Sequence, residues 1–366
     1  MKELKIALLQ LYCGQSGKTG FYNNQSLGLA KAYEKTGHEV FVIFPDKEKK
    51  TIEKQRFSDK INILYVPAKS FGVHSFYDLE FLLDYKIDLV HVNADNQAAA
   101  PKVNRFCKKH HIKVYNYVGT IYSDAQNAVK RMLMNYFTKR NIRCFRKNTV
   151  FAKTEAVRKE LEAVGISHAK VVPVGLDFDI IPEISGSKYE IRKELELPEE
   201  KKVLLYVGRL AEYKKPLDAL ELLKLSGEQY QLIAIGSGEL KEAFLEKIQK
   251  DGLKEQVRYI EAVPNTEIHK YYKAADCFVN FNPQEIFGMS ILEAMYQECP
   301  VVAKHAPGPD SIVEEGVCGY LCDNLEEMRI CVAKADHEMG IRGRDRVKTK
   351  FSWSAASEAI LAEMEM

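Results

Sequence analysis

Two glutamates, Glu285 and Glu293, lie in the segment of this sequence richest in chemistry: Pro283-Gln284-Glu285-Ile286-Phe287-Gly288-Met289-Ser290-Ile291-Leu292-Glu293-Ala294-Met295. An ionised carboxylate only accepts hydrogen bonds, so the two oxygens of Glu293 can take two neighbouring hydroxyls, as a ribose presents them. Glu285 can hold hydroxyls of a second sugar-like group. Gly288 lets the main chain approach a ligand closely. The amides of Met289 and Ser290 then open a helix, whose N-terminus favours an anion such as a diphosphate. Either glutamate alone would read as a solvent-facing charge. Loop, glycine and helix in this order make them a candidate site.

A second segment, Val207-Gly208-Arg209-Leu210-Ala211-Glu212-Tyr213-Lys214-Lys215-Pro216, follows the apolar run 202–207. It brings Gly208 and two cations, Arg209 and Lys214, to a strand end, with Lys215 as the alternative to Lys214. Charge developing on a diphosphate leaving group needs such a clamp where no metal serves. A third segment, Gly14-Gln15-Ser16-Gly17-Lys18-Thr19-Gly20, is glycine-rich and precedes a helical stretch, which suits phosphate approach. It is neither a Walker A loop nor G-x-G-x-x-G. The eight cysteines are scattered, and the closest pair, Cys318 and Cys322, is not a C-x-x-C. They read as free thiols rather than as metal ligands or disulfides, and neither a metal nor a cofactor is expected.

The elements that must position these groups alternate along the whole chain. Strand-like runs at 4–11, 39–44, 61–66, 88–93, 113–118, 149–152 and 170–174 are separated by amphipathic stretches at 22–37, 96–111, 124–147 and 154–164. Residues 175–188 read as a linker. The alternation restarts with runs at 202–207, 230–235, 257–260, 276–281, 300–303 and 319–321, and helical stretches at 215–226, 238–250, 266–274, 290–297 and 324–335. Apolar strands joined by helices imply parallel sheets covered on both faces. At 366 residues one core would exceed the usual limit of about 250–300 residues, so two doubly wound α/β domains are expected. They are placed at 1–177 and 178–350, with the helix 351–366 packing back on the first. In such sheets ligands bind beyond the carboxyl ends of the strands.

The Glu285–Met295 segment, with Pro300-Val301-Val302 after it, resembles the E-x7-E signature of the retaining glycosyltransferases of family 4, which have the GT-B fold. Glu285, Phe287, Gly288 and Leu292-Glu293-Ala294-Met295 match. Ile286 replaces a glycine, and a later glycine position falls at Glu298 or Cys299. Gly208-Arg209-Leu210 with Lys214 resembles the family's Gly-Arg-Leu…Lys motif. Gly20 matches one glycine of its first loop, and Leu29-Ala30 with Gly37-His38-Glu39-Val40 match the family beyond that loop. Ala234-Ile235-Gly236-Ser237-Gly238 and Pro307-Gly308-Pro309-Asp310 are similar to two of its turns. The resemblance covers nearly the whole chain and is strongest over 203–320.

The resemblance implies two Rossmann-like domains facing a deep cleft, with the donor held by the second. Gly208, Arg209, Lys214, Phe287, Gly288, Met289, Ser290 and Glu293 would bind a nucleotide-diphosphate sugar, UDP-linked first and GDP-linked second. Glu285, Arg209 and Lys214 would be catalytic, and Gly20 would serve the acceptor and phosphate loop. A hexosyl group would pass with retention to a glycan or lipid-linked acceptor in bacterial envelope or polysaccharide synthesis. Val118 stands where many members carry a histidine, and His91 is the nearest alternative. Val118 and Ile286 speak for the other reading, an impaired member that binds nucleotide-sugar or a partner without turnover. An epimerase or phosphorylase of the same shape would need other signatures, and the first loop lacks a dehydrogenase's dinucleotide fingerprint.

Charge is uneven. Residues 1–177 hold 29 Lys and Arg against 17 Asp and Glu, and residues 178–366 hold 24 against 34. No acid stands between Asp124 and Glu155, and 130–147 carries seven cations, with Leu133, Met134, Phe137, Cys144 and Phe145 on the opposite helical side. The plain reading is a helix with a solvated basic face. The sharper one is contact with an anionic membrane surface. Nucleic acid has no matching motif. No run is long enough to span a bilayer and the start does not read as a signal peptide, so the expected location is cytoplasmic, free or peripheral at the inner membrane face.

Overall fold

The computed structural model describes residues 3–13, 24–122 and 128–365. The chain divides into two compact units, Met1–Gly175 with Ser352–Met366, and Leu176–Phe351. The first unit runs β1 (Lys5–Leu9), α1 (Gln25–Lys35), β2 (Glu39–Asp46), β3 (Glu53–Arg56), β4 (Ile61–Phe71), β5 (His74–Tyr77), α2 (Phe81–Asp84), β6 (Leu89–Asn93), α3 (Ala100–Lys109), β7 (Lys113–Val118), α4 (Ala128–Phe145), β8 (Thr149–Ala152), α5 (Glu155–Ala163) and β9 (Lys170–Val171). Its strands lie in the order β3-β4-β2-β1-β6-β7-β8-β9, with β5 also on β4. All pairs are parallel except those of β3 and β5 with β4. The central strands are continuous apolar runs because helices cover both faces. Ile6, Ala7, Leu8 and Leu9 of β1 are all fully buried.

The two antiparallel strands depart from the expected all-parallel sheet. Glu53-Lys54-Gln55-Arg56 is exposed at every position. A polar edge strand of this kind blunts a sheet edge and leaves no apolar alternation to announce it.

The second unit runs α6 (Lys188–Glu194), β10 (Lys202–Val207), α7 (Pro216–Ser226), β11 (Tyr230–Ile235), α8 (Lys241–Lys250), β12 (Val257–Ile260), α9 (Ile268–Ala274), β13 (Cys277–Asn280), α10 (Met289–Tyr296), β14 (Val301–Lys304), α11 (Pro307–Ile312), β15 (Gly319–Cys322), α12 (Leu325–Lys334) and α13 (His337–Lys350). Its sheet order is β12-β11-β10-β13-β14-β15, all parallel. Counted within the unit this is the doubly wound order 3-2-1-4-5-6, whose direction reverses between β10 and β13. Pro307-Gly308-Pro309, expected as a turn, opens helix α11 instead. Proline suits the first helical position, where its missing N–H has no partner to lose.

The last helix, α14 (Trp353–Glu363), belongs to the first unit. Trp353 packs on α1 at Gly28, where a Cβ would meet the indole at 2.2 Å. Lys113 donates to the carbonyl of Met364 at 2.7 Å, and Lys170 pairs with Glu363.

Candidate functional site

The sheet of the second unit changes direction between β10 and β13, so loops leaving their carboxyl ends diverge and open a crevice. Glycines decide how closely these loops pack. A Cβ on Gly236, after β11, would meet the Gly208 carbonyl at 1.9 Å. One on Gly238 would meet the Leu210 carbonyl at 2.4 Å, and one on Gly308 the Phe287 carbonyl at 2.2 Å. Gly308 also donates its amide to the Glu285 carbonyl at 2.7 Å. The G-x-G after β11 is therefore a backbone-packing device for the Gly208 loop.

Lys214 ends a short 3-10 turn, Glu212–Lys214, and its Nζ lies 2.5 Å from Glu285 Oε2. Both side chains are mostly enclosed, 23% and 14% exposed, so the pair is screened less than a surface pair. The neighbour Lys215 takes a left-handed backbone (φ 51°) as it enters α7 and pairs with Glu212 instead. Lys214 is thus the lysine that reaches the glutamate. Glu285 is also held by Asn282, whose Nδ2 donates to the same oxygen at 3.1 Å. Asn282 Oδ1 accepts from the Gln284 amide, and Asn280 Oδ1 from the Asn282 amide, both at 3.0 Å. These Asx turns shape the loop. Sequence reasoning passed over Asn280 and Asn282, although Asn-Phe-Asn-Pro at a strand end is a turn signal.

Gly288 precedes α10 with φ 98°, a backbone that disfavours any side chain. Met289 and Ser290 follow as the first helical residues, and first-turn amides lack intrahelical partners. Phe287 is buried with its ring edge toward Phe351, 6.4 Å between centroids. Ile286, at the expected glycine, is 48% exposed and outside the left-handed region, so the side chain fits without strain. Of the two candidates for the later glycine position, Glu298 takes φ 59° and holds Arg344 at 2.6 Å and also Lys273, while Cys299 is buried.

Neither Glu293 nor the Arg209 side chain bonds to the Lys214–Glu285 pair. Glu293 is buried in α10 and accepts from the Tyr272 hydroxyl of α9 at 3.2 Å. Burial pushes its carboxyl up to about 7, against the pull of the Tyr272 bond. Arg209 is exposed; its carbonyl accepts from the Tyr206 hydroxyl at 3.1 Å, and its guanidinium bonds no described residue. Gly20 lies outside the described residues.

At the first unit's strand ends, Val118 is fully buried. His91 is a core residue. Its Nδ1 lies 2.9 Å from the Tyr115 hydroxyl, which in turn lies 3.1 Å from that of Tyr33, and burial pulls the ring down to about 3, helped by Lys153. A neutral, enclosed imidazole is a structural group. Beyond the carboxyl ends of β6 to β8 sits a cluster the sequence reading missed. Lys153, 7% exposed at its side chain, pairs with Asp95 at 2.6 Å, reaches Asn93 Oδ1 at 3.3 Å and lies 5.1 Å from the Tyr117 ring centre. Asp95 also accepts the Gly119 amide. A lysine directly after an apolar strand, in Val150-Phe151-Ala152-Lys153, was the available signal.

Two family profiles match the chain: one described as glycosyl transferases group 1 over residues 187–330, one as glycosyltransferase family 4 over residues 23–180. Among curated relatives, the human alpha-1,3/1,6-mannosyltransferase ALG2 is 29% identical over 53% of this chain and 48% of its own length. The chain thus spans about half of that relative. The alpha-monoglucosyldiacylglycerol synthase of Acholeplasma laidlawii is 23% identical over 82% of this chain and 81% of its own. Among solved structures, Anabaena Alr3699/HepE in complex with UDP-glucose superposes with a TM-score of 0.69 at 18% identity, over 99% of this chain and 100% of that one. The fold class is that of these GT-B proteins, two parallel-sheet α/β domains. No helix among the described residues is long and apolar enough to cross a membrane.

Proposed function

The chain belongs to the group 1 glycosyltransferases of family 4, and from that premise we propose that it moves a hexosyl group from a nucleotide-diphosphate sugar to a glycan or lipid-linked acceptor. The observation that carries the reading is the enclosed Lys214–Glu285 pair at the point where the second sheet reverses direction. In this reading the bond between the anomeric carbon and the phosphate oxygen breaks, with its electron pair passing to the phosphate. Lys214, Arg209 and the amides opening α10 offset that charge. The acceptor oxygen bonds on the same face and its proton goes to the leaving phosphate, so configuration is retained. Glu285 positions the transferred sugar, and Glu293 takes the ribose hydroxyls.

UDP is the favoured carrier and GDP the second; the UDP-glucose held by the Anabaena protein supports the first. One relative is named for mannosyl transfer and one for a monoglucosyl lipid, which supports a hexose and an envelope or polysaccharide role. No metal or cofactor enters the scheme. Peripheral contact of the basic α4 with an anionic membrane belongs to the same proposal, as does a cytoplasmic location. The second reading, binding without turnover, is favoured by Val118, enclosed where many family members carry a histidine.

A thermal-shift screen against UDP-, GDP-, ADP- and dTDP-sugars tests donor binding, since a ligand of the folded state alone raises its stability. Transfer and donor hydrolysis, with Glu285→Ala beside the native chain, test turnover. Stabilisation by a sugar nucleotide with turnover abolished in Glu285→Ala is expected. Stabilisation with no turnover by the native chain selects the second reading, and no stabilisation by any donor removes the first and leaves of the second only the binding of a partner.

A further inference from the structure

Residues 96–154 contain thirteen Lys and Arg and one acid, Asp124. The fold gathers five of the thirteen. A groove of about 400 Å³ between α3 and α4 is lined by Arg105 and Lys108 from the first helix, and by Arg140, Arg143 and Lys147 along and just past the second. No carboxylate lines it. Arg105, Lys108, Arg143 and Lys147 form no ion pair among the described residues, and Arg140 makes only a ring contact, 5.8 Å above Tyr136. Arg146, one position from the groove residues, is spent differently: its guanidinium holds the Val164 carbonyl at 2.6 and 3.1 Å.

The floor is built. Asn104, 3% exposed, exchanges two hydrogen bonds with Asn116 of β7, at 2.8 and 3.0 Å, which fixes α3 on the sheet. Asn148 donates to the Cys144 carbonyl at 2.7 Å, closing the end of α4. Helix C-termini do attract cations. That accounts for Lys108 and Lys147 but not for Arg105 and Arg140, which lie inside their helices. Five like charges around one concavity repel one another unless an anion enters, and guanidinium forks match phosphate oxygens. Lys108 and Lys147 sit just before β7 and β8 begin, so the groove opens at the amino ends of these strands, opposite the edge where ligands of such sheets react.

We propose that the α3–α4 groove is a second anion site, taking a group with clustered phosphates, either a lipid head group or a free phosphate ester. The exposed stripe along α4 continues from the groove through Tyr136 to Met132, 57% and 71% exposed, an apolar continuation that a lipid source would use. The lipid branch rests on the peripheral contact proposed above for α4, the free-phosphate branch does not, and binding rather than turnover reports both, so failure of either leaves the transferase reading to its own test.

Two probes separate the sources: tripolyphosphate followed by calorimetry, and phosphatidylcholine vesicles with and without phosphatidylglycerol followed by sedimentation. The chain carrying Arg105→Gln, Lys108→Gln, Arg143→Gln and Lys147→Gln is compared with one carrying Lys250→Gln, Lys254→Gln, Lys348→Gln and Lys350→Gln, which loses the same charge from the second unit. A milder pair, Arg105→Ala with Lys147→Ala, guards against misfolding. Groove variants are expected to bind on the order of tenfold more weakly, with the control unchanged. Loss of tripolyphosphate binding without vesicle binding assigns a free phosphate ester; loss of phosphatidylglycerol-dependent sedimentation assigns a lipid. The proposal is overturned if the native chain binds neither probe, if the control loses as much as the groove variants, or if a uridine oligonucleotide binds the groove more tightly than either probe.

Discussion

Six parallel strands of the first sheet, β4-β2-β1-β6-β7-β8, repeat the order of the second, and the two sheets are finished differently at their carboxyl ends. In the second unit the loops after β10, β11, β13 and β14 meet backbone to backbone, with glycines at Gly236, Gly238 and Gly308 where any Cβ would strike a carbonyl carbon or oxygen. In the first unit the corresponding edge is filled by side chains: Lys153 on Asp95, Asn93 and Tyr117, above the enclosed His91–Tyr115–Tyr33 chain. A wall of amides and carbonyls cannot be re-aimed one residue at a time, and it suits a group whose shape never changes, such as a diphosphate. A wall of side chains can be altered piecemeal, and it suits a partner that varies.

The pairs Lys214–Glu285 and Lys153–Asp95 break this comparison open most sharply. Both are short lysine–carboxylate pairs, the first with an enclosed carboxylate and the second with an enclosed lysine. Removing Lys214 leaves the Glu285 carboxylate poorly solvated, and Lys214→Met is expected to cost on the order of 1–3 kcal/mol in chemical denaturation; Asp95 is a third exposed and better solvated, so Lys153→Met should cost less. Only the second-unit pair belongs to the proposed donor chemistry. Lys214→Met and Glu285→Gln should each lower kcat for transfer by about 10²–10³-fold, whereas Lys153→Met should leave donor affinity unaltered. Because Lys214 and Glu285 are bonded, the double variant should lose much less than the product of the singles. Equal kinetic losses from Lys153→Met and Lys214→Met would erase the distinction between the two edges.

Glycine substitutions sharpen the same contrast at smaller amplitude. Gly308→Ala and Gly236→Ala drive a methyl into backbone at 2.2 and 1.9 Å, and each should cost about 1–3 kcal/mol with weakened donor binding. Gly119→Ala in the first unit meets the flexible Lys153 side chain at 2.8 Å and the Asp95 carboxylate at 3.0 Å, and should cost ~1 kcal/mol or less. Urea midpoints of the three variants rank them directly.

Much of this architecture can be read along the chain, because each central strand is a continuous apolar run and each crossover an amphipathic stretch. The elements that escaped did so for physical reasons. Strand β3 is polar and exposed throughout. Helix α6 carries a full capping box, Ser187 with Glu190, but its seven residues come after a Gly- and Pro-containing linker that masks the start. Helix α13, His337–Lys350, buries little besides Met339 and Val347 and so lacks a strong apolar stripe. At the site, the glutamates, the cations and Gly288 were legible as types in order. Their partners were not. That Lys214 rather than Lys215 reaches Glu285 depends on the left-handed turn at Lys215. That Glu293 meets Tyr272 depends on how α10 is rotated against α9, which packing sets and spacing does not.

Glu293 gives the next prediction, and its sign is fixed. Its carboxyl sits at about 7 in the folded chain against the ordinary 4.5. The folded state therefore binds that proton more tightly than the unfolded state, and the group favours folding most below pH 4.5. This contribution, at most ~3 kcal/mol, is lost as pH rises from 4.5 through 7. Glu293→Gln should flatten stability over that window, as urea midpoints against pH will show. Donor affinity should move the other way in the native chain. The carboxylate is the better acceptor for two ribose hydroxyls, so binding should tighten as pH passes 7, and the glutamine variant should lose that dependence. A native pH profile retained by Glu293→Gln would assign the titration to another group.

Arg209 carries the smallest expected effect on the folded chain and the cleanest separation of folding from binding. Its guanidinium is exposed and bonds no described residue, while its carbonyl is already satisfied by the Tyr206 hydroxyl. Arg209→Ala should therefore leave stability within about 0.5 kcal/mol of the native chain, in contrast to Lys214→Met a few residues away. If the cation exists to meet a diphosphate, donor affinity should fall on the order of tenfold even so. An Arg209→Ala chain that folds, melts and binds sugar nucleotides like its parent would show that Lys214 and the α10 amides neutralise the leaving phosphate without it.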